Sequence, residues 1–117
     1  MSLKSTYTTY LNAINARDWP LVAEFAQPQV IHNDRAMTNV EYAEMIATSL
    51  EPCPGLVFVP ETIVCDDDAG TLACRIRFDK SGDIAWEGPQ YSCEHVFYKY
   101  ESGKIAQVWS MVEEHKK

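Results

Sequence analysis

Leu3, Tyr7, Tyr10, Leu11 and Ile14 recur three and four residues apart, the spacing of one helical face. They predict an amphipathic helix over residues 3–16. Asp18 then reads as an N-cap, and Pro20 falls in a first turn that tolerates it. A short helix is predicted from Trp19 to Ala26, stopped by Gln27-Pro28. Gln29 to Asn33 is a short strand candidate that delivers His32, Asn33 and Asp34 to its exit. Thr38-Asn39-Val40-Glu41 has the pattern of a capping box. It starts a third helix that runs to Leu50, with Val40, Ala43, Ile46, Ala47 and Leu50 on one side, and Pro52 and Pro54 stop it. The period then changes to that of strands: Leu56–Cys65, Leu72–Asp79, Pro89–Tyr100 and Lys104–Glu113. Turn signals at 66–70, 80–88 and 101–103 separate them.

Helices first and strands later predict an α+β fold, with the helices packed on one face of a mostly antiparallel sheet. A strongly curved sheet closed by helices leaves a concave interior, where small-molecule pockets form. The 117 residues fit one domain, residues 1–117, and a hydrophobic content of 46% supplies one sizeable core. The net charge of −7 argues against nucleic acid as a partner, because phosphate binding needs clustered Lys and Arg. It equally disfavours an anionic membrane surface. Cys53, Cys65, Cys74 and Cys93 show no C-x-x-C spacing and read as reduced, packing thiols. No apolar run approaches membrane-spanning length, and Met1–Thr6 lacks the apolar centre of a signal peptide. The expected location is cytoplasmic.

Three groups of residues are candidates for chemistry. Glu113 lies beside Trp109 and Met111 on one face of the last strand. A carboxyl whose pKa is lifted by an apolar pocket moves protons; the alternative is a solvated strand end. His95 sits on the preceding strand. A two-residue Ser102-Gly103 loop would pair His95 with Ser110 and turn it away from Glu113. One β-bulge in either strand would bring both to one side. His32, Asp34 and Arg35 form a pocket rim in which His32 and Asp34 would share a face as an acid/base pair. Asp34 reads equally as a turn residue and Arg35 as a surface charge. Tyr42, Trp86, Tyr91 and Trp109 are candidates to line the cavity and stack on a flat ligand. Asp66-Asp67-Asp68-Ala69-Gly70 reads as an acidic hairpin turn, not a calcium loop. The histidines lack metal-ligand spacing and no glycine-rich phosphate loop occurs, so neither a metal nor a cofactor is expected.

Three segments carry a family resemblance. Tyr10-Leu11-Asn12-Ala13-Ile14-Asn15-Ala16-Arg17-Asp18-Trp19 is an apolar helix ending in a short acidic turn. Glu24-Phe25-Ala26 through Val30-Ile31-His32 is a short helix followed by a strand with a polar pocket residue. Gly103-Lys104-Ile105 with Trp109 and Glu113 is a closing hairpin. Together they resemble the SnoaL-like polyketide cyclases, within the cystatin-like α+β barrels that include nuclear transport factor two, ketosteroid isomerase and scytalone dehydratase. This sequence has Glu113 where those cyclases usually have aspartate, and Lys80–Pro89 replaces their Gly-Thr-His-type loop.

The resemblance implies a cone-shaped barrel whose terminal acid moves a proton to or from a substrate. The leading expectation is a small cofactor-independent enzyme acting on an apolar, cyclic metabolite by cyclisation, isomerisation or dehydration. Glu113 would be the acid/base, with His32 or His95 as partner, and Asp34, Arg35 and Met111 would complete the site. The alternative is a non-catalytic ligand-binding or protein-interaction module. The resemblance also implies a homodimer through the outer sheet face, where Arg75 and Arg77 would lie.

Overall fold

The computed structural model describes residues 2–80 and 91–114. The elements run α1 (Leu3–Asn15), α2 (Trp19–Glu24), β1 (Ala26–His32), β2 (Arg35–Thr38), α3 (Asn39–Leu50), β3 (Leu56–Asp66), β4 (Thr71–Lys80), β5 (Tyr91–Glu101) and β6 (Lys104–Glu114). Among the described residues, three helices pack on one curled six-stranded sheet of order β2-β1-β6-β5-β4-β3. Neighbouring strands are antiparallel except β1 and β6, which run parallel. The α+β expectation therefore holds.

The helices begin where the capping residues said they would. Thr38 Oγ1 accepts from the Glu41 backbone N–H, and the Glu41 carboxylate accepts from the Thr38 N–H at 2.8 Å. Asp18 caps α2. At the start of α1, Asp67 from the β3–β4 turn accepts the Leu3 N–H at 2.8 Å. The acidic run thus serves as a turn and as a helix cap. The end of α1 is a Schellman motif: Arg17 N donates to Ile14 O, and Asp18 N donates to Ala13 O. Arg17 holds the left-handed position at φ +59°, where glycine is usual.

Two boundaries differ from the sequence reading. Strand β1 starts at Ala26, immediately after α2, because Ile105 N donates to Phe25 O and draws the chain onto β6. Strand β2 was not expected. Arg35–Thr38 is too short to show alternation, yet Asn33 and Asp34 both take positive φ (46° and 69°), forming a two-residue hairpin that pairs His32 with Arg35. On α3 the buried side is Tyr42, Ala43 and Leu50, while Val40 is exposed.

The hairpin between β5 and β6 sets the geometry of the interior. Ser102 and Gly103 form its two-residue loop, with φ of 51° and 78°. Tyr100 pairs with Ile105 but Lys99 pairs with Gln107, so Ala106 is an extra residue in β6. Beyond this bulge His95 pairs with Met111, and Val96 with Ser110. One face of the hairpin carries Glu94, Val96, Tyr98, Val108, Ser110 and Val112 toward the helices. The other carries Cys93, His95, Phe97, Trp109, Met111 and Glu113 outward.

Arg17 also ties the helical layer to the sheet. Its guanidinium donates to the carbonyls of Ile14, Cys53, Pro54 and Leu56 at 2.9–3.3 Å, holding the α3–β3 connection against the end of α1. Replacing Arg17 by alanine should cost about 1–3 kcal/mol in urea unfolding, because several partly buried carbonyls lose their donor. Arg17→Gly should cost less than Arg17→Ala, since glycine relieves the left-handed strain. Equal costs would show that backbone strain plays no part.

Candidate active site

The concave face of the sheet, closed by α1 and α3, encloses a cavity of about 420 Å³. Its wall is mainly apolar: Ile14, Met45, Ile46, Leu56, Phe78 and Val108 among others. Into it converge the polar groups of Tyr10, His32, Tyr42, Glu94, Tyr98 and Ser110. An apolar hollow with a few convergent polar groups is the usual form of a small-molecule site.

Glu94 is the central feature. It projects from the middle of β5 into this wall, and desolvation pushes its carboxyl up to about pKa 7, against the pull of a hydrogen bond from Ser110. Ser110 lies across from it on β6. Its Oγ is 3.2 Å from His32 Nε2. Burial lowers the His32 pKa, so its imidazole is neutral at pH 7 and can donate one N–H to Ser110. The three side chains form a chain, His32 to Ser110 to Glu94, along which hydrogen bonds run toward the carboxylate.

Asn33 fixes the middle of this chain. Its side-chain Oδ1 accepts from Ser110 N at 2.8 Å, its Nδ2 donates to Ser110 O at 3.2 Å, and its backbone N donates to Val108 O. The Asn33 amide thereby continues the β1–β6 pairing past the point where β1 turns into β2. Tyr42, from α3, closes the opposite wall. Its hydroxyl lies 2.6 Å from that of Tyr10, and its ring centroid is 6.1 Å from that of His32.

Of the residues singled out from the sequence, His32 and Tyr42 line this cavity. Glu113 does not. The bulge at Ala106 does place Glu113 and His95 on one face, but it is the outer, solvent side. There the Glu113 carboxylate accepts from Cys93 Sγ at 3.1 Å, and this bond, with Arg75 and His95 nearby, lowers its pKa. The expected lift by an apolar pocket is thus corrected to a depression. Trp109 and Met111 share that outer face, Trp109 packing edge-on against Phe97 and Met111 lying open to solvent. His95 Nε2 accepts from Arg75 Nη1 at 2.6 Å, since arginine can only donate. Asp34 sits in the β1–β2 turn and Arg35 follows it, both exposed. Asp34 therefore forms no acid/base pair with His32, and Arg35 is the backbone partner of His32 across the β1–β2 hairpin. Trp86 lies outside the described residues, as does the side chain of Tyr91.

Cys93, His95 and Glu113 bring one ligand-type atom each to within 4.8 Å of one another. Arg75, which contacts His95 and lies 4.0 Å from Glu113, already supplies that cluster with positive charge.

The sequence reading missed Glu94 and Ser110. The available signal was parity: Glu94 stands in phase with Val96, Tyr98 and Tyr100, so an acid occupies the buried phase of an otherwise apolar alternation.

Comparison with known proteins gives this geometry a family. Residues 4–116 match the family model of the SnoaL-like polyketide cyclases. The chain belongs to that family. A crystal structure of a SnoaL-like polyketide cyclase from Agrobacterium tumefaciens is 31% identical, with a TM-score of 0.83 over 97% of this chain and 92% of that one. AclR of Streptomyces galilaeus, a candidate hydroxylase, is 17% identical with a TM-score of 0.74, covering 95% and 88% of the two chains. IdmH of Streptomyces antibioticus, a candidate polyketide cyclase, is 12% identical with a TM-score of 0.76, covering 96% and 92%. The last two likenesses speak to fold alone. No curated protein matches. Among the described residues of this SnoaL-like chain, no helix is long and apolar enough to cross a membrane.

In this SnoaL-like protein the desolvated acid links stability to pH. The Glu94 pKa is raised from 4.5 in the unfolded chain to about 7 in the folded one, so between those values the folded state binds the extra proton. The contribution is fully present below pH 4.5 and is lost as pH rises toward 7. Unfolding free energy should fall across that window by on the order of 3 kcal/mol. Glu94→Gln should flatten the dependence, as measured by urea titrations at pH 4.5 and 7.5. A slope unchanged in the variant would place the Glu94 carboxyl in water.

Proposed function

We propose that the protein is a small enzyme that moves a proton on an apolar, cyclic substrate held in the barrel cavity, using side chains alone. The observation that carries this reading is Glu94: a carboxyl within an apolar cavity, with a pKa brought to about 7 by desolvation. A group that titrates near the working pH both takes and returns a proton efficiently. Ser110 and His32 orient it and stabilise its ionised form. Membership in the SnoaL-like family supports an enzyme of this kind, with cyclisation, isomerisation or dehydration as the outcome set by the substrate.

The alternative reading, a ligand receptor without turnover, calls for a cavity whose polar groups are few and mutually satisfied. A carboxyl held near neutrality is a poor fit to that role. The two separate in an exchange assay. 1-Tetralone, a compact bicyclic ketone, carries exchangeable hydrogens next to its carbonyl, and their replacement in D₂O is followed by proton NMR. The rate should rise through pH 7 as Glu94 loses its proton and level off above. Glu94→Gln should lower it by about 100-fold or more. Binding of the ketone without catalysed exchange would favour the receptor; undiminished exchange in the variant would remove Glu94 from the mechanism.

We further propose that the protein acts as a homodimer joined through the outer sheet face. Val64, Phe97 and Met111 are exposed there beside Trp109, and Met111 is 72% accessible. Arg75 lies at the edge of this patch with Glu61 and Glu113, charges of both signs that a two-fold copy could exchange. Light scattering should give twice the 13.3 kDa chain mass, and Met111→Glu should return it to one. A wild-type monomer at micromolar concentration would end this proposal.

A further inference from the structure

Away from the cavity, the outer face of the sheet gathers a second set of reactive side chains. Cys93 and His95 stand two residues apart on β5 and so share a face, and Glu113 is the partner of Cys93 on β6. Each offers one ligand-type atom, and the three atoms lie within 4.8 Å of one another. Spacing along the chain hides this group, because its third member comes from another strand. Cys93 is buried, yet it stands apart from the core cluster that takes in Cys53 and Cys74. Its Sγ meets the Glu113 carboxylate instead, donating to Oε2 at 3.1 Å.

The three atoms offer lone pairs that a metal ion can use. His95 Nε2 accepts from Arg75 Nη1 at 2.6 Å, so that nitrogen carries no proton and its lone pair is turned toward a cation. Glu113 is held ionised by its bond to Cys93, with Arg75 and His95 nearby. A thiolate, a carboxylate and a neutral imidazole together balance one dication. Tetrahedral zinc sets its ligand atoms roughly 3.3–3.6 Å apart. Cys93 and Glu113 are already near that separation, and the exposed side chains of His95 and Glu113 can close the remainder by rotamer changes. Sulfur and imidazole nitrogen do not suit Mg²⁺ or Ca²⁺, which take oxygen. Arg75 holds the cation's place, 4.0 Å from Glu113 Oε2. It also donates to Glu61 Oε2 at 3.3 Å, so a guanidinium displaced by a metal keeps an anionic partner.

We propose that Cys93, His95 and Glu113 form a zinc site on the outer sheet face, with Arg75 as the exchangeable counter-charge of the metal-free chain. On binding, the Cys93 thiol gives its proton to solvent. Sγ, Nε2 and Oε2 then each donate a lone pair to Zn²⁺, Arg75 turns to Glu61, and no electron is transferred. Water fills the fourth position, on the solvent side where His95 and Glu113 are exposed. The metal clips β5 to β6 at the end of the hairpin remote from the Ser102-Gly103 turn. All three ligands come from one chain and face away from Glu94. The site therefore depends neither on the dimer nor on the proton-transfer role of the cavity.

Co²⁺ reports these ligands directly, since a cobalt–thiolate bond gives an intense near-ultraviolet charge-transfer band and a tetrahedral site gives visible d–d bands. Titrated into the reduced, chelator-free protein, one Co²⁺ per chain should produce both. Zn²⁺ should bleach them, and excess Mg²⁺ should not. Cys93→Ser should lose the charge-transfer band. His95→Gln and Glu113→Gln alter exposed side chains, so both should fold, and each should weaken Co²⁺ by about 100-fold or more. Arg75→Leu should tighten it by about tenfold, because the metal no longer displaces a charged hydrogen bond. Zn²⁺ should raise Tm in the wild type and leave it unmoved in Cys93→Ser. His115, the histidine nearest the chain end, is the control: His115→Gln should bind as the wild type does. A charge-transfer band that survives Cys93→Ser, binding that is lost with His115, or an affinity unmoved in Arg75→Leu would overturn the assignment.

Discussion

One extra residue in β6 determines which side chains the interior receives. Side chains on a strand alternate between faces, so a single-residue shift exchanges the inward set for the outward set. Without the bulge at Ala106, the tight Ser102-Gly103 loop would propagate its register straight along the hairpin, and Ser110 would stand across from His95. With it, Ser110 stands across from Val96, on the face that carries Glu94. The bulge also releases β6 to run beside β1, whose pairing is itself irregular between Ala26 and Ile31. The contacts among Glu94, Ser110 and His32 follow from these two adjustments.

The same register explains why two glutamates on paired strands behave oppositely. Glu94 faces apolar side chains, and removing its carboxyl from water favours the protonated form. Glu113 faces outward toward Cys93, Arg75 and His95, and its ionised form is favoured. Neither behaviour follows from residue type. Proton transfer near neutrality is chemistry that the first environment supports and the second opposes, which is why the site is assigned to the cavity although the outer cluster has the denser set of reactive groups.

The helices, their caps and the long strands were legible in the sequence because each rests on local chemistry. The Thr38–Glu41 box, the Asp18 cap and the 3-4 spacing in α1 act over one or two turns. The strand β2 and the outward position of Glu113 were not legible, for different reasons. Four residues are too few to show a period, and β2 exists only because Asn33 and Asp34 tolerate positive φ. Glu94 could be placed by its phase with Val96 and Tyr98. The position of Glu113 needed the bulge, and a bulge between Lys99 and Gln107 leaves no mark in composition. Family resemblance drew attention to the terminal acid, where the geometry of this chain turns outward.

The cavity concentrates groups whose desolvation opposes folding: the carboxyl of Glu94, the half-buried, neutral imidazole of His32 and the paired phenols of Tyr10 and Tyr42. Each is held by an element fixed elsewhere. Tyr42 stands on a helix anchored by its capping box. Tyr10 stands on a helix whose start is capped by Asp67 and whose end is pinned through Arg17. Ser110 is clamped on both backbone groups by Asn33. Stability and the proposed proton transfer draw on the same desolvated groups in opposite senses, so a variant that satisfied them internally should gain stability as it loses that chemistry.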